Sequence, residues 1–406
     1  MNTSPKKIFM IGWEYPPNNS GGLGVACKGM TQALAVANNQ IYFTLPYNCP
    51  HCVSHMTILS CFDPAWKETN KAPFNAYSSA RKALDKKLDA SQLRALPESE
   101  LEQKVDAYAK LVAQKARKLG HDFDVIHAHD WMSFPAAMQV KKASGKPMVT
   151  HVHSTEWDRI PTGYGSHYIS NIEHQGMQAA DKVIAVSYYT KRLLVDKYNI
   201  NPNKIEVVYN GINPLKVPVI KNKDFAKKRP VVVFMGRMTM QKGVEFVIGV
   251  AKKVLEKLPN CLFVLAGSGD IYQELLFSTA GNGLSASVLF SGFVRDKQRD
   301  KLLDRADLFM MPSVSEPFGL VALEAAQRNT PVIISTNSGV SEVMKTSVAI
   351  DFWDVNKMSE EVVKILTNKG YGDKIVKGQL EDLSNTSWNR SARGISSVYR
   401  KAFLGG

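Results

Sequence analysis

Short apolar, β-branched runs alternate with helix-patterned segments along nearly the whole chain. Residues 7–13 form the first such run, and 23–37 then repeat apolar positions at helical spacing. Further strand-like runs cover 39–47, 124–129, 147–153, 182–186 and 204–209. The stretch 64–120 breaks this rhythm. It is charged, and Leu101, Val105, Tyr108, Leu111 and Val112 give 99–119 the period of a helix, so inserted helices are expected there. A segment rich in proline and lysine, 214–230, reads as a linker, and a second series of strands follows at 231–235, 262–266, 288–293, 308–311, 331–335 and 348–351. Continuous apolar runs of this length suit strands buried on both faces of a parallel sheet. The pattern predicts an α/β protein with an N-terminal Rossmann-like domain over 1–213 and a C-terminal one over 231–386. A last helix over 387–406 is expected to return to the first domain. Two such doubly wound domains can face each other across a deep cleft, with ligands beyond the carboxyl ends of the strands.

A length of 406 residues agrees with two domains. The formal net charge of +14 favours anionic partners: nucleotide phosphates, acidic glycans, lipid headgroups or nucleic acid. No nucleic-acid-binding module is recognisable, so nucleic acid is not expected. No apolar run is long enough for a membrane span or a signal-peptide core, which leads to the expectation of a cytoplasmic protein. Lys6, Lys7, Lys86, Lys87, Lys141, Lys142 and the linker lysines suggest a peripheral contact with anionic membrane; a solvated face explains them equally. Cys49, Cys52, His55 and Cys61 have the spacing of a zinc set, yet no second CxxC pair follows, and free thiols are the preferred reading.

Glycines and charges cluster where strands give way to helices. Gly21 and Gly22 stand between the first strand and its helix, where the absence of Cβ lets backbone approach a phosphate; tight turns use glycine in the same way. Arg237 and Lys242 bracket the corresponding loop of the second domain and suit a diphosphate, or a solvated surface pair. Pro317 fits the first position of a helix, with Glu316 just outside it and Glu324 eight residues further on. At that separation the two carboxylates are too far apart for a hydrolase pair, but they can hold different parts of one extended ligand. Backbone N–H groups of Phe318, Gly319 and Leu320 would face a phosphate between them. An ordinary helix with one glutamate near its start is the competing reading. His127/His129 and His151/His153 are two HxH pairs; a metal site with Asp130 is one reading, and packed histidines at strand ends with His153 set apart is the preferred one.

Glu316 and Glu324 form the EX7E pattern, and the chain resembles retaining GT-B glycosyltransferases of family 4, including bacterial glycogen-synthase-like members. The resemblance runs through EYPPNNSGGLG at 14–24, DVIHAHDW at 124–131, HVHSTEWDR at 151–159, GRMTMQKG at 236–243, LAGSGD at 265–270 and PSVSEPFGLVALEA at 312–325. It implies a GT-B fold and a nucleotide-sugar donor that is a substrate, with no cofactor and no metal. Gly21 and Gly22 are then the loop that closes on the donor phosphates. Arg237 and Lys242 neutralise the departing diphosphate. Glu316, with Gly267, Phe318, Gly319 and Leu320 in the same donor site, holds sugar hydroxyls, and Glu324 holds ribose. His153 resembles the histidine near the reacting carbon, and Asp130 an acceptor-side or sugar-side residue. The implied reaction moves a hexose, expected to be glucose from ADP-glucose or UDP-glucose, to a glycan or lipid-linked acceptor with retention. A GDP-mannose or other UDP-sugar enzyme and a non-catalytic sugar-nucleotide-binding protein are the alternatives. Asn18-Asn19-Ser20 replaces the lysine that bacterial glycogen synthases carry ahead of the paired glycines, which favours the broader family. Ser338 and Asn329 stand where the family often has glycine.

Overall fold

The computed structural model describes residues 6–19, 21–49, 53–62, 100–161, 163, 165–215, 219 and 229–404. The chain divides into two compact units, Met1–Gly211 with Trp388–Gly406, and Ile212–Ser387. In the first unit β1 (Lys7–Ile11) leads to α1 (Gly22–Val36), β2 (Gln40–Leu45) and β3 (Thr57–Ser60). Then come α2 (Glu100–Lys118), β4 (Val125–His129), α3 (Phe134–Ser144), β5 (Met148–Val152) and the single turn α4 (Glu156–Arg159). The unit continues with α5 (His167–Ala179), β6 (Lys182–Ala185), α6 (Tyr188–Tyr198) and β7 (Ile205–Val207). The seven strands form one parallel sheet in the order β3-β2-β1-β4-β5-β6-β7. Every residue of β4 and β5 is buried, because helices cover both faces of a parallel sheet. The apolar pattern reads 57–60 as loop. Its four residues TILS are only partly buried at the sheet edge, so they carry too little pattern to be seen. The helix over 100–118 packs into the core through Val105, Tyr108 and Val112, and the Tyr108 hydroxyl donates to the Gly12 carbonyl at 2.5 Å.

The second unit repeats the plan with β8 (Val231–Met235), α7 (Val244–Lys257), β9 (Leu262–Ala266), α8 (Tyr272–Gly281), β10 (Val288–Gly292), α9 (Asp296–Arg305) and β11 (Leu308–Met311). It ends with α10 (Leu320–Gln327), β12 (Val332–Ser335), β13 (Val348–Ile350), α11 (Val355–Thr367) and α12 (Lys369–Leu383). Its six parallel strands are ordered β10-β9-β8-β11-β12-β13. Both units are therefore Rossmann-like parallel sheets with helical layers.

The last helix, α13 (Trp388–Leu404), belongs to the first unit. It buries Trp388, Ala392, Ile395, Val398, Tyr399 and Ala402 on one face, a spacing of three and four residues. Ser391 Oγ donates to the Tyr209 carbonyl at 2.6 Å. Trp388 lies over Gly29 of α1, where an added Cβ would come within 2.2 Å of the indole. Gly29→Ala should therefore destabilise the protein by about 1–3 kcal/mol through overpacking, although alanine is the better helix former. Urea unfolding checks this; an unchanged or raised midpoint would mean that α13 does not dock tightly on α1.

Candidate active site

Each sheet reverses its strand order once, between β1 and β4 in the first unit and between β8 and β11 in the second. Ligands of open α/β sheets sit outside the carboxyl ends of the strands at such a point. Gly21, Gly22, Asp130, Arg237, Lys242 and Glu316 lie where the chain leaves these four strands, whereas His153 follows β5, Gly267 follows β9 and Glu324 lies on α10.

In the second unit, β8 runs into Gly236 and Arg237, and β11 runs into the loop that carries Glu316. The two loops are laced together. The Gln241 carbonyl accepts from Val314 N at 2.9 Å and Ser315 N at 3.3 Å. Gly243 has a φ of 60°, and a Cβ there would lie 2.0 Å from the Pro312 carbonyl oxygen, so only glycine permits this approach. Gly267, at the end of β9, is held likewise, with a φ of 148° and the Gly236 carbonyl oxygen 1.8 Å from where a Cβ would stand. The interlocking brings Lys242 Nζ to 2.7 Å from Glu316 Oε2, and Ser313 Oγ donates to the same carboxylate oxygen at 3.3 Å. The Glu316 backbone is fixed from the other side, its N–H donating to Asn337 O and its carbonyl accepting from Gly339 N, each at 2.9 Å. Ser338, where the family often has glycine, sits opposite Glu316 in this bridge.

Pro317 does not begin the helix as its sequence position suggests. Phe318 O accepts from Val340 N at 2.7 Å, so 316–318 stays extended against 338–340. The turn comes at Gly319, with a left-handed φ of 107°, and α10 starts at Leu320. Phe318 is buried. Glu324 lies on α10 and is paired with Arg299 of α9 at 3.0 Å. Burial pushes the Glu324 carboxyl up, and the Arg299 guanidinium opposes that rise. Arg299 escapes sequence reasoning because DKQRDKLLDR reads as a solvated charged helix; only the packing of α9 on α10 brings its side chain to the glutamate. Asn329 takes the left-handed φ of 56° that ends α10, which an asparagine tolerates.

In the first unit, Gly21 precedes α1 and Gly22 opens it, both exposed. Asp130 follows β4 with a φ of 56° and is buried. Its Oδ1 accepts from His153 N at 2.7 Å and from Ser154 N at 3.3 Å, so this carboxylate fastens the loop after β5. Burial pushes the acid up to about 7 against the pull of those bonds. His153 is not set apart from the other three histidines. β4 and β5 are neighbours with His129 in register with His151, so all four rings fall on one face of the sheet. His127 Nε2 lies 3.2 Å from His151 Nδ1, and His129 Nδ1 lies 3.1 Å from His153 Nε2. Burial holds His127 and His153 down at about 3 and the other two well below the usual range, so all four are neutral near pH 7.

The HSTEWDR segment hides a second polar network that the motif does not announce. Arg159 bridges Glu156 at 3.0 Å and Glu173 at 2.6 Å, all three buried, and the Tyr198 hydroxyl donates to Glu173. The Thr155 hydroxyl and Asp158 complete a capping box on α4. Together these contacts fix the course of the chain just after His153.

Other sequence-derived candidates lie partly outside the described residues. Cys52 lies outside the described residues. Cys49 is half-buried, Cys61 is buried with its thiol pushed up to about 12, and His55 Nε2 lies 3.1 Å from Thr31 Oγ1. Lys7 is paired with Asp122 at 2.6 Å and Lys141 with Asp181 at 2.8 Å, which removes both from a free basic surface. Lys86, Lys87 and the linker lysines fall outside the described residues. No described helix is long and apolar enough to cross a membrane.

Comparison with known proteins bears on this arrangement. Residues 78–215 match the Glycosyltransferase Family 4 domain and residues 218–380 match Glycosyl transferases group 1. The chain is 30% identical to an uncharacterized glycosyltransferase of Methanocaldococcus jannaschii, over 98% of each chain. It is 26% identical to a glycogen synthase of Mycobacterium tuberculosis, over 98% of this chain and 95% of the other. In fold it is similar to the solved sucrose-phosphate synthase of Thermosynechococcus elongatus, with a TM-score of 0.76 at 18% identity over 99% of this chain and 100% of that one. The chain belongs to the GT-B glycosyltransferases of family 4.

The buried Arg159 network makes two predictions. Arg159→Met leaves two carboxylates without their cation and should cost about 3–5 kcal/mol in urea unfolding. Burial raises Glu173 to about 7 from 4.5, with Arg159 opposing. Its contribution to stability is thus complete below about pH 4.5 and lost as pH rises through about 7. Relative to the parent, Glu173→Gln should gain stability between about pH 5 and about pH 8. A difference that stays flat with pH would show that Glu173 is ionised throughout.

Proposed function

We propose that this glycosyltransferase moves a hexose from a nucleotide sugar, glucose from ADP-glucose or UDP-glucose, to a hydroxyl of a glycan or lipid-linked acceptor, with retention and without a divalent cation. The observation that carries the reading is the Lys242–Glu316 pair at 2.7 Å, held by backbone bonds from two sides at the switch point of the second sheet. It joins a cation and a carboxylate from two neighbouring loops, the first of which also carries Arg237. In this reading the donor diphosphate draws Lys242 and Arg237 to itself, and Glu316 turns its oxygens to hydroxyls of the sugar. The bond from the anomeric carbon to the diphosphate oxygen breaks with its electron pair going to the diphosphate. The acceptor oxygen bonds to the carbon from the same face, and its proton passes to the departing phosphate. Electrostatic stabilisation of the leaving group and positioning supply the rate. Glu324, on the far side of the α10 start, is assigned to the ribose. Gly21, Gly22 and His153 keep the donor-side roles that family membership implies. The relation to a glycogen synthase supports glucose as the sugar.

Slow hydrolysis of a nucleotide-sugar panel tests the donor: release of ADP or UDP from the glucose donors is expected, and release of GDP alone would overturn the assignment. Added Mg²⁺ or Mn²⁺ should leave turnover unchanged in protein stripped with EDTA; dependence on either ion would defeat the metal-free mechanism. Glu316→Ala should lower kcat by roughly two orders of magnitude or more, about 2.7 kcal/mol of barrier, because its contacts with the sugar strengthen in the transition state. Glu324→Ala should mainly raise the donor KM, since ribose changes little during transfer. Equal, mild effects in the two variants would mean that the donor lies elsewhere.

A further inference from the structure

Four histidines cluster on β4, β5 and the loop after β5. His129 Nε2, the nitrogen left open once Nδ1 pairs with His153, is buried without a hydrogen-bond partner among the described residues. Buried polar atoms of a folded protein nearly always have one. One imidazole nitrogen from each of His127, His129 and His151 lies within 4.8 Å of the others, and all three residues are buried. We propose that these three histidines form a binding site for one zinc-class divalent transition-metal ion within the first unit, distinct from the transfer chemistry.

Several features of the geometry support the assignment. His127 Nε2 and His151 Nδ1 are 3.2 Å apart. Two imidazole nitrogens on one tetrahedral zinc, each bonded at about 2.0–2.1 Å, stand about 3.3 Å from each other. Drawing His129 in from at most 4.8 Å to the same spacing takes up to about 1.5 Å of movement. The Tyr399 hydroxyl lies 2.6 Å from His127 Nδ1. When Nδ1–H donates to that oxygen, the Nε2 lone pair is left for a metal, the usual arrangement around a ligating histidine. Asp130 does not join the ligands, because its Oδ1 is engaged with His153 N and Ser154 N, but it places a buried acid next to His129. A set of imidazoles without carboxylate selects Zn²⁺, Co²⁺, Ni²⁺ or Cu²⁺ over Mg²⁺ and Ca²⁺. The ion would join β4, β5 and, through Tyr399, α13. Since His129 Nδ1 lies 3.1 Å from His153 Nε2, it would also set the orientation of His153.

The test uses the full chain stripped of metal and titrated with Co²⁺ while visible absorption is recorded. One ion per chain should bind with an intense four-coordinate band lacking thiolate charge transfer, be displaced by stoichiometric Zn²⁺, and raise the melting temperature. His151→Asn and His129→Asn should abolish the band. Tyr399→Phe, which keeps all three ligands, should weaken binding by about 10–100-fold. No saturable binding to the parent chain, a thiolate band, or equal binding by folded histidine variants would each overturn the site. If the histidine variants do not fold, the parent spectrum and Tyr399→Phe decide alone. None of these readouts depends on donor turnover, so the result stands apart from that of the hydrolysis assays.

Discussion

A parallel strand cannot be followed by its neighbour through a tight turn; the chain must cross the sheet and begin again at the same end. All thirteen described strands are parallel to their neighbours, seven in one sheet and six in the other. Each sheet therefore has one edge where all the strands finish and the crossovers start. Strand order also reverses between β1 and β4 and between β8 and β11, where the crossovers leave in opposite directions. The loops there part from one another and leave room that helices do not fill. Gly21 and Gly22, Asp130, Arg237, Lys242 and Glu316 all stand on these loops.

Parting loops need something to hold them, and the two units solve this differently. In the second, backbone does it: the Gln241 carbonyl takes two N–H groups from the next loop, and residues 316 and 338 pair as a fragment of extra strand. Glycines at 243 and 267 allow carbonyl oxygens to approach where any Cβ would collide. Such bonds leave side chains available for chemistry, and among the described residues Lys242 and Glu316 pair with each other and Glu316 with Ser313. A lysine–glutamate pair with part of its surface in water is only modestly favourable, so it can open at little cost.

In the first unit buried side chains do the holding. Asp130 reaches across to two backbone N–H groups, and Arg159 is enclosed by Glu156 and Glu173. These groups are costly to bury and are retained only because each finds partners. The histidines are among the exceptions, since two nitrogens of the cluster have no hydrogen-bond partner among the described residues. The same residues 151–159 that carry the motif thus serve mostly to fix a loop, with His153 at its start.

Most of the strand and helix order and the loops bearing Arg237, Lys242 and Glu316 were legible in the sequence, because period-2 and period-3.6 burial and glycine at strand ends are local properties of a chain. The edge strand Thr57–Ser60 was not, being short and half-covered. The start of α10 at Leu320 was not either, since the pairing of 316–318 with 338–340 outweighs the preference of Pro317 for a first helical turn. Pairings between distant segments lay wholly beyond local pattern: Arg299 with Glu324, Tyr399 with His127, and the four histidines in one cluster rather than three and one. Those depend on which strands become neighbours and which helix lies across them. That is decided by how the helical layers close over each sheet, a property of the packed chain that no single segment carries.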